Sequence, residues 1–224
     1  MLNSASRRED GNFYCVAWED VERASALRDA AAKDGYRFLS LSIHGTALDP
    51  RYTAVMIKRS KVVAQRDFPS MTEAEWTATF EDQTKKKYGP VMLCATGTYP
   101  NARYAAVFQP QSPIALTRHR LISGEDTNLD TIQGMNKKAK VDGLILRWAG
   151  SYGPTANPRF TAIWTPNTDQ AIWNVDGLVE TADEYQARFN AQDSGWARPA
   201  MVAVNGSNRY PLCGQPGGQL RRAA

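Results

Sequence analysis

A serine, a histidine and an aspartate lie close together near the end of the first quarter of the chain, and these residue types suit catalysis. Ser42 and His44 lie two positions apart in a predicted strand, so their side chains share one face of it. Asp49 follows in the next turn and completes a Ser-His-Asp combination. Because the region recurs along the chain with a different residue aligned with His44 each time, we favour a surface histidine and assign no catalytic residue. The aligned residues are Thr96, Ala149 and Asn205.

The composition gives little indication of a metal or cofactor site. The chain has two histidines and three cysteines, and their spacings match no metal site. It also lacks the glycine-rich motifs that bind phosphates or dinucleotides, so we predict neither a metal nor another cofactor. Cys94 lies in an apolar strand and is predicted to be buried, whereas a disulfide between Cys15 and Cys213 is left open.

The most regular feature is an arginine followed by an aromatic residue, which opens a predicted strand four times. Each pair follows a turn glycine, and these glycines are spaced almost evenly, at Gly45, Gly97, Gly150 and Gly206. The arginine could bind turn carbonyls, or the pair could form one of four equivalent ligand sites, as in lectin-like modules. We favour the structural role, because a scaffold group is needed once per unit. The residues are Arg51, Tyr52, Arg103, Tyr104, Arg159, Phe160, Arg209 and Tyr210.

These landmarks divide the chain into four units, each predicted to fold as strand, helix, strand, turn and strand. We place one domain at residues 11–213, with units near 11–60, 61–110, 111–167 and 168–213, and disordered ends at 1–10 and 214–224. The predicted fold class is α+β, with antiparallel sheets covered by helices on one face. Four such units could form a closed ring or two packed pairs.

Local patterns position these elements. Thr72-x-x-Glu75 and Thr181-x-x-Glu184 are capping boxes that predict the start of two helices. Alternation in the second strand of the first unit places Leu39, Leu41 and Ile43 on its inward face. The turn of the third unit, from Gly150 to Pro158, is predicted to be longer than the others, and the fourth unit to be unfinished.

Charge and hydropathy exclude several classes of partner. The 224 residues are 42% hydrophobic and 22% charged, with a net charge of +4. The lysine runs at 85–87 and 137–140 fall at predicted helix C-termini, where cations meet the helix dipole, so we predict no nucleic acid partner. No apolar run approaches the roughly 18 residues of a membrane span, and no secretory leader opens the chain. Asn205-Gly206-Ser207 is a possible glycosylation site.

Two motifs of the repeat resemble a known family. Residues 35–45, GYRFLSLSIHG, and 49–55, DPRYTAV, resemble the bacterial tandem repeat unit, as do residues 88–97 with 103–108. These units are also similar to the N-terminal region of fungal polyglycine hydrolases, which are secreted serine proteases that cut glycine-rich linkers of plant chitinases. In that family the repeats precede a catalytic domain like that of class C β-lactamases. The resemblance covers about residues 13–213.

The resemblance implies a secreted accessory module without its own active site. The family nucleophile lies in Ser-x-x-Lys, and no serine of this chain has lysine three positions later. We therefore expect a substrate-recognition or spacer region, with a truncated gene product as one explanation. The alternatives are a free-standing module that binds an extracellular glycan or protein, and a hydrolase with an unfamiliar site. The oligomeric state is left open.

Overall fold

The computed structural model describes most of the chain, and its contacts divide the chain into two compact units. The units are Met1–Thr117 and Arg118–Ala224. Within them the structure describes residues 5–7, 13–59, 63–112, 115, 120–122, 127–154, 156–193, 197–202 and 210–216. The predicted mixture of helices and small antiparallel sheets in repeated units is confirmed.

The first unit contains repeats one and two, each built from a helix and a small antiparallel sheet. The sheet orders are β1-β2-β4-β3 and β5-β7-β6. Repeat one consists of β2 (Phe13–Glu19), α1 (Val21–Lys33), β3 (Tyr36–Gly45) and β4 (Pro50–Lys58), preceded by β1 (Ala5–Arg7). Repeat two consists of β5 (Arg66–Met71), α2 (Glu73–Lys85), β6 (Tyr88–Thr96) and β7 (Arg103–Pro110).

The second unit contains repeats three and four, and its sheet orders are β8-β10-β9 and β11-β13-β12. In both units the last strand of a repeat lies between the other two. Repeat three consists of β8 (Arg120–Ile122), α3 (Leu129–Val141), β9 (Leu144–Tyr152) and β10 (Arg159–Pro166). Repeat four consists of β11 (Asn174–Glu180), α4 (Ala182–Asp193), β12 (Ala197–Val202) and β13 (Tyr210–Pro216).

Two strands extend into the ends that the sequence predicted to be disordered. Strand β1 pairs with β2 over Ala5–Arg7, and β13 continues to Pro216 between β11 and β12. The expectation followed the low apolar content of these segments. Pairing to a neighbouring strand satisfies main-chain groups whatever the side chains are, so composition alone misses it.

Side-chain caps begin each of the helices α1 to α4. Thr72 and Glu75 cap each other, with Glu75 Oε2 accepting from the Thr72 N–H at 2.7 Å, which confirms the predicted capping box. Thr181 and Glu184 form the same pair, with the corresponding distance also 2.7 Å. In repeats one and three the cap is an acid or an amide. Asp20 accepts from the Arg23 N–H at 2.8 Å, and Asn128 accepts from the Thr131 N–H at 3.0 Å.

A residue with positive φ follows α1, α2 and α3, and the residues just after α4 lie outside the described part of the chain. This residue is Gly35 (φ +86°) after α1, Lys87 (φ +63°) after α2 and Gly143 (φ +66°) after α3. Its carbonyl accepts a hydrogen bond from the main-chain N–H just past the last strand of the same repeat. The donors are Arg59, Gln111 and Asn167, at 3.3, 3.0 and 3.0 Å.

A β-bulge in the strand after each helix corrects one sequence prediction. Phe38 pairs with Met56 and Ser40 with Val55, so Leu39 is the extra residue. Leu39 is 45% exposed, whereas Phe38 is buried together with Leu41. The predicted inward position of Leu39 is therefore wrong, because the bulge reverses the alternation. The equivalent extra residues are Val91, Arg147 and Ala200.

The bulge also corrects the alignment of the third turn. Gly45 and Gly97 lie six positions after their bulges, with φ of +83° and +81°, and Gly153 lies six after Arg147 with φ of +83°. The turn glycine of repeat three is therefore Gly153 and not Gly150, and its turn matches the first two in length. The additional length of this repeat precedes Asn128, the N-cap of α3.

Candidate functional site

The aromatic members of the repeated pairs are core residues. Tyr52, Tyr104 and Phe160 are 3%, 0% and 0% exposed. Each lies at or near the second position of its strand, on the face that packs inward. A fully buried ring offers no surface to a ligand, so these rings hold the scaffold together. Tyr210 begins β13, and Arg209 and Asn205 lie outside the described residues.

The arginines occupy one repeated position in the sheets. Arg51, Arg103 and Arg159 pair in register with the residue before the turn glycine, which is His44, Thr96 and Tyr152 respectively. Tyr152, not Ala149, is therefore the equivalent of His44. Two of the arginines have described contacts with a turn. Arg51 Nη2 lies 2.8 Å from Asp49 Oδ1, and Arg103 Nε donates to the Ala47 carbonyl at 3.4 Å.

Repeat two holds the turn of repeat one through side chains. Cys94 Sγ donates to the Leu41 carbonyl at 3.0 Å, and Thr96 Oγ1 donates to the Gly45 carbonyl at 2.7 Å. The tip of that turn lies against Gly97, where an added Cβ would approach the Ala47 Cβ to 2.8 Å. We call this set of contacts the turn seam. Cys94 is buried, as predicted, and its thiol takes part in this seam.

A second contact between the same repeats is an ion pair beside a small cavity. Arg28 Nη1 of α1 binds Asp67 Oδ1 of β5. Burial raises the pKa of Asp67, against the opposing effect of Arg28. The cavity is about 30 Å³ and is lined by Ala24, Met56 and Ala106, among others. A cavity of this size has room for water molecules.

The Tyr52 hydroxyl is a buried polar group that lies beside Ser70. Burial raises its pKa, while nearby Ser70 and Arg103 lower it by a smaller amount. Ser70 has a φ of +56°, a conformation that L-residues rarely adopt. A raised pKa keeps the phenol protonated at neutral pH, so Tyr52 is poorly suited to act as a base.

The serine and histidine singled out by the sequence do meet. Ser42 Oγ lies 2.8 Å from His44 Nε2. Burial lowers the pKa of His44, so the ring is neutral near pH 7 and could accept a proton from the serine. The carboxylate of Asp49 binds Arg51, with its two oxygens 2.8 and 3.0 Å from Nη2. The described geometry thus supplies a serine and a base, with the aspartate committed to an arginine.

Other site classes have weaker support in the part of the chain that the structure describes. There, no group of three histidines, cysteines or acidic residues is placed to hold a metal ion. None of the described helices is both long and apolar enough to span a bilayer. Lys85 lies in the last turn of α2 and Lys138 in that of α3, where the sequence placed them. Lys86 Nζ binds Asp82 Oδ2 at 2.7 Å.

Sequence reasoning missed the residues that join repeats one and two. Arg28 and Asp67 lie 39 residues apart and stand at no repeated motif. Ala47 and Gly97 look like ordinary turn residues until the two turns are seen together. The repeat period was the only available signal, because it implies that neighbouring units bury surface against each other.

Comparison with known proteins agrees with this repeat architecture. No curated protein matches the chain. A family model described as polyglycine hydrolase-like, structural repeat, matches residues 26–59, 70–111 and 128–167, more than half of the sequence. These ranges begin in or near a helix of repeats one, two and three and end just past the last strand of each. The chain therefore belongs to the polyglycine hydrolase-like structural repeat family.

Proposed function

We propose that this chain is a non-catalytic repeat module that recognises a substrate or sets spacing for a secreted hydrolase. The observation that carries the proposal is that the repeated arginine–aromatic pairs serve the scaffold. Their rings are buried, and Arg103 binds the turn carbonyl of the preceding repeat. Because these recurring residues are used to hold the repeats together, none of them is a candidate for a catalytic group that recurs with the repeat. The family match and the lack of Ser-x-x-Lys support the same conclusion.

A glycine-rich linker peptide is the probe that tests this proposal. We expect the labelled peptide to bind the chain, measured by fluorescence anisotropy, and to remain uncut when analysed by mass spectrometry. A scrambled peptide rich in charged residues is the control for non-specific binding. Cleavage of the linker peptide would overturn the non-catalytic role. Absence of binding would leave spacing as the only part of the proposal that survives.

One observation favours a second candidate, a hydrolase with an unfamiliar site. It is the 2.8 Å contact between Ser42 Oγ and His44 Nε2. A fluorophosphonate probe would label Ser42 if this pair activates the serine, because the serine oxygen would displace fluoride while the histidine takes its proton. The Ser42→Ala variant removes the nucleophile, and Ser40→Ala on the same strand is the matched control. Equal labelling of all three proteins would eliminate this candidate.

A further inference from the structure

The helices of the four repeats alternate between two designs. Those of repeats two and four start with a threonine–glutamate capping box and carry two aromatic rings one turn apart. The rings are Trp76 and Phe80 in α2, with centroids 5.6 Å apart, and Tyr185 and Phe189 in α4, with centroids 6.2 Å apart. The caps and the rings therefore recur together after two repeats, at the same offset from each other.

Repeats one and three share the other design. Their caps are Asp20 and Asn128, and a polar residue replaces the second ring. This residue is Arg28 in α1 and Asn136 in α3. Both work across elements, since Arg28 binds Asp67 of repeat two and Asn136 Oδ1 accepts from Trp164 Nε1 at 2.9 Å. The full period of the chain is thus two repeats and not one.

The contacts divide the chain at the same place as this longer period. The boundary between Thr117 and Arg118 falls between repeats two and three. Within the first unit the turn seam and the Arg28–Asp67 pair join the two repeats with specific hydrogen bonds. Their donors and acceptors lie on different repeats, so neither repeat satisfies these groups alone.

We propose that the cooperative folding unit of this chain is a pair of repeats, so that the two repeats of a pair open together while the other pair stays closed. The reason is that burial and hydrogen bonds shared between two repeats are lost from both when either one opens.

Hydrogen exchange of the intact chain tests this pairing with two matched variants. Val107 of repeat two and Ile163 of repeat three occupy equivalent strand positions and are 0% and 1% exposed. We expect Val107→Ala to speed exchange roughly tenfold or more in β3, β4, β6 and β7 alike, and to leave β9 and β10 unchanged. Ile163→Ala should do the reverse. An effect of Val107→Ala confined to repeat two, or spread over both units, would overturn the pairing.

Discussion

Replacing Lys87 with glycine should stabilise the first unit. Lys87 has a φ of +63° at the position where the first and third repeats use Gly35 and Gly143. Its N–H donates to the Thr84 carbonyl and its carbonyl accepts from the Gln111 N–H, both at 3.0 Å, so the conformation is held at both ends. An L-residue in this region costs about 1–2 kcal/mol. Glycine removes that cost but loses roughly 0.5–1 kcal/mol to greater freedom of the unfolded chain. The expected net gain is about 0.5–1 kcal/mol.

Urea unfolding would measure this gain in the free energy of unfolding, and peptide-resolved hydrogen exchange would assign it to the first unit. Lys87→Ala is the control for loss of the lysine side chain, and it should be no more stable than the parent. Gly35→Ala is the converse experiment, because an added Cβ there meets no atom within 4 Å. It should cost about 0.5–1 kcal/mol, because the backbone strain is partly offset by the smaller freedom of the unfolded chain. If Lys87→Gly and Lys87→Ala have equal stability, the reasoning from φ is refuted.

Three further predictions concern the turn seam and two titratable side chains with shifted pKa values. Gly97→Ala should lower the free energy of unfolding by about 2–4 kcal/mol, because it adds both backbone strain and a close contact with Ala47. Adding the change Ala47→Gly should recover part of that loss, and an unaltered melting temperature of Gly97→Ala would contradict the close approach. The lowered pKa of His44 predicts a stability contribution that is present above pH 6.5 and lost as the pH falls; His44→Gln should flatten that part of the melting profile, and an unchanged slope would count against it. The pKa of Asp67 is raised, so its effect on stability runs the opposite way with pH: the contribution is present below pH 3.8 and lost as the pH rises through the pKa of the folded state. Asp67→Asn should remove this pH dependence of the melting temperature, and a variant whose profile still follows that of the parent would disprove it.

The repeat pattern predicted the fold well because it rests on local physics. The capping boxes at Thr72 and Thr181 predict where two helices begin, since each box joins two residues only three positions apart. The bulge at Leu39 was invisible, because an extra residue in a strand leaves no compositional mark. For the same reason the sequence pattern pointed to Gly150 as the third turn glycine, whereas Gly153 occupies that place in the structure. The spacing between turn glycines does not show where an extra residue lies within a strand.

The contacts between repeats one and two were harder to predict, because their residues meet only after the two repeats pack. Arg103 looked like one of four equal groups, yet its described contact is with a carbonyl of another repeat. Arg28 belongs to no motif and still supplies one half of the only described ion pair between elements of repeats one and two. Long-range pairs of this kind depend on how two surfaces fit, which a single sequence does not record.

If the chain recognises a peptide as proposed, we expect its specificity to lie at the variable position opposite the repeated arginine and not at the arginine itself. His44, Thr96 and Tyr152 share that register, and they differ in size and hydrogen-bonding capacity. Thr96 is already used to bind the Gly45 carbonyl, and Tyr152 is 2% exposed. His44 retains partial exposure and a polar neighbour in Ser42. A scan of binding with His44→Gln and Arg51→Gln therefore separates recognition from scaffold, since only the first should change which peptide is preferred.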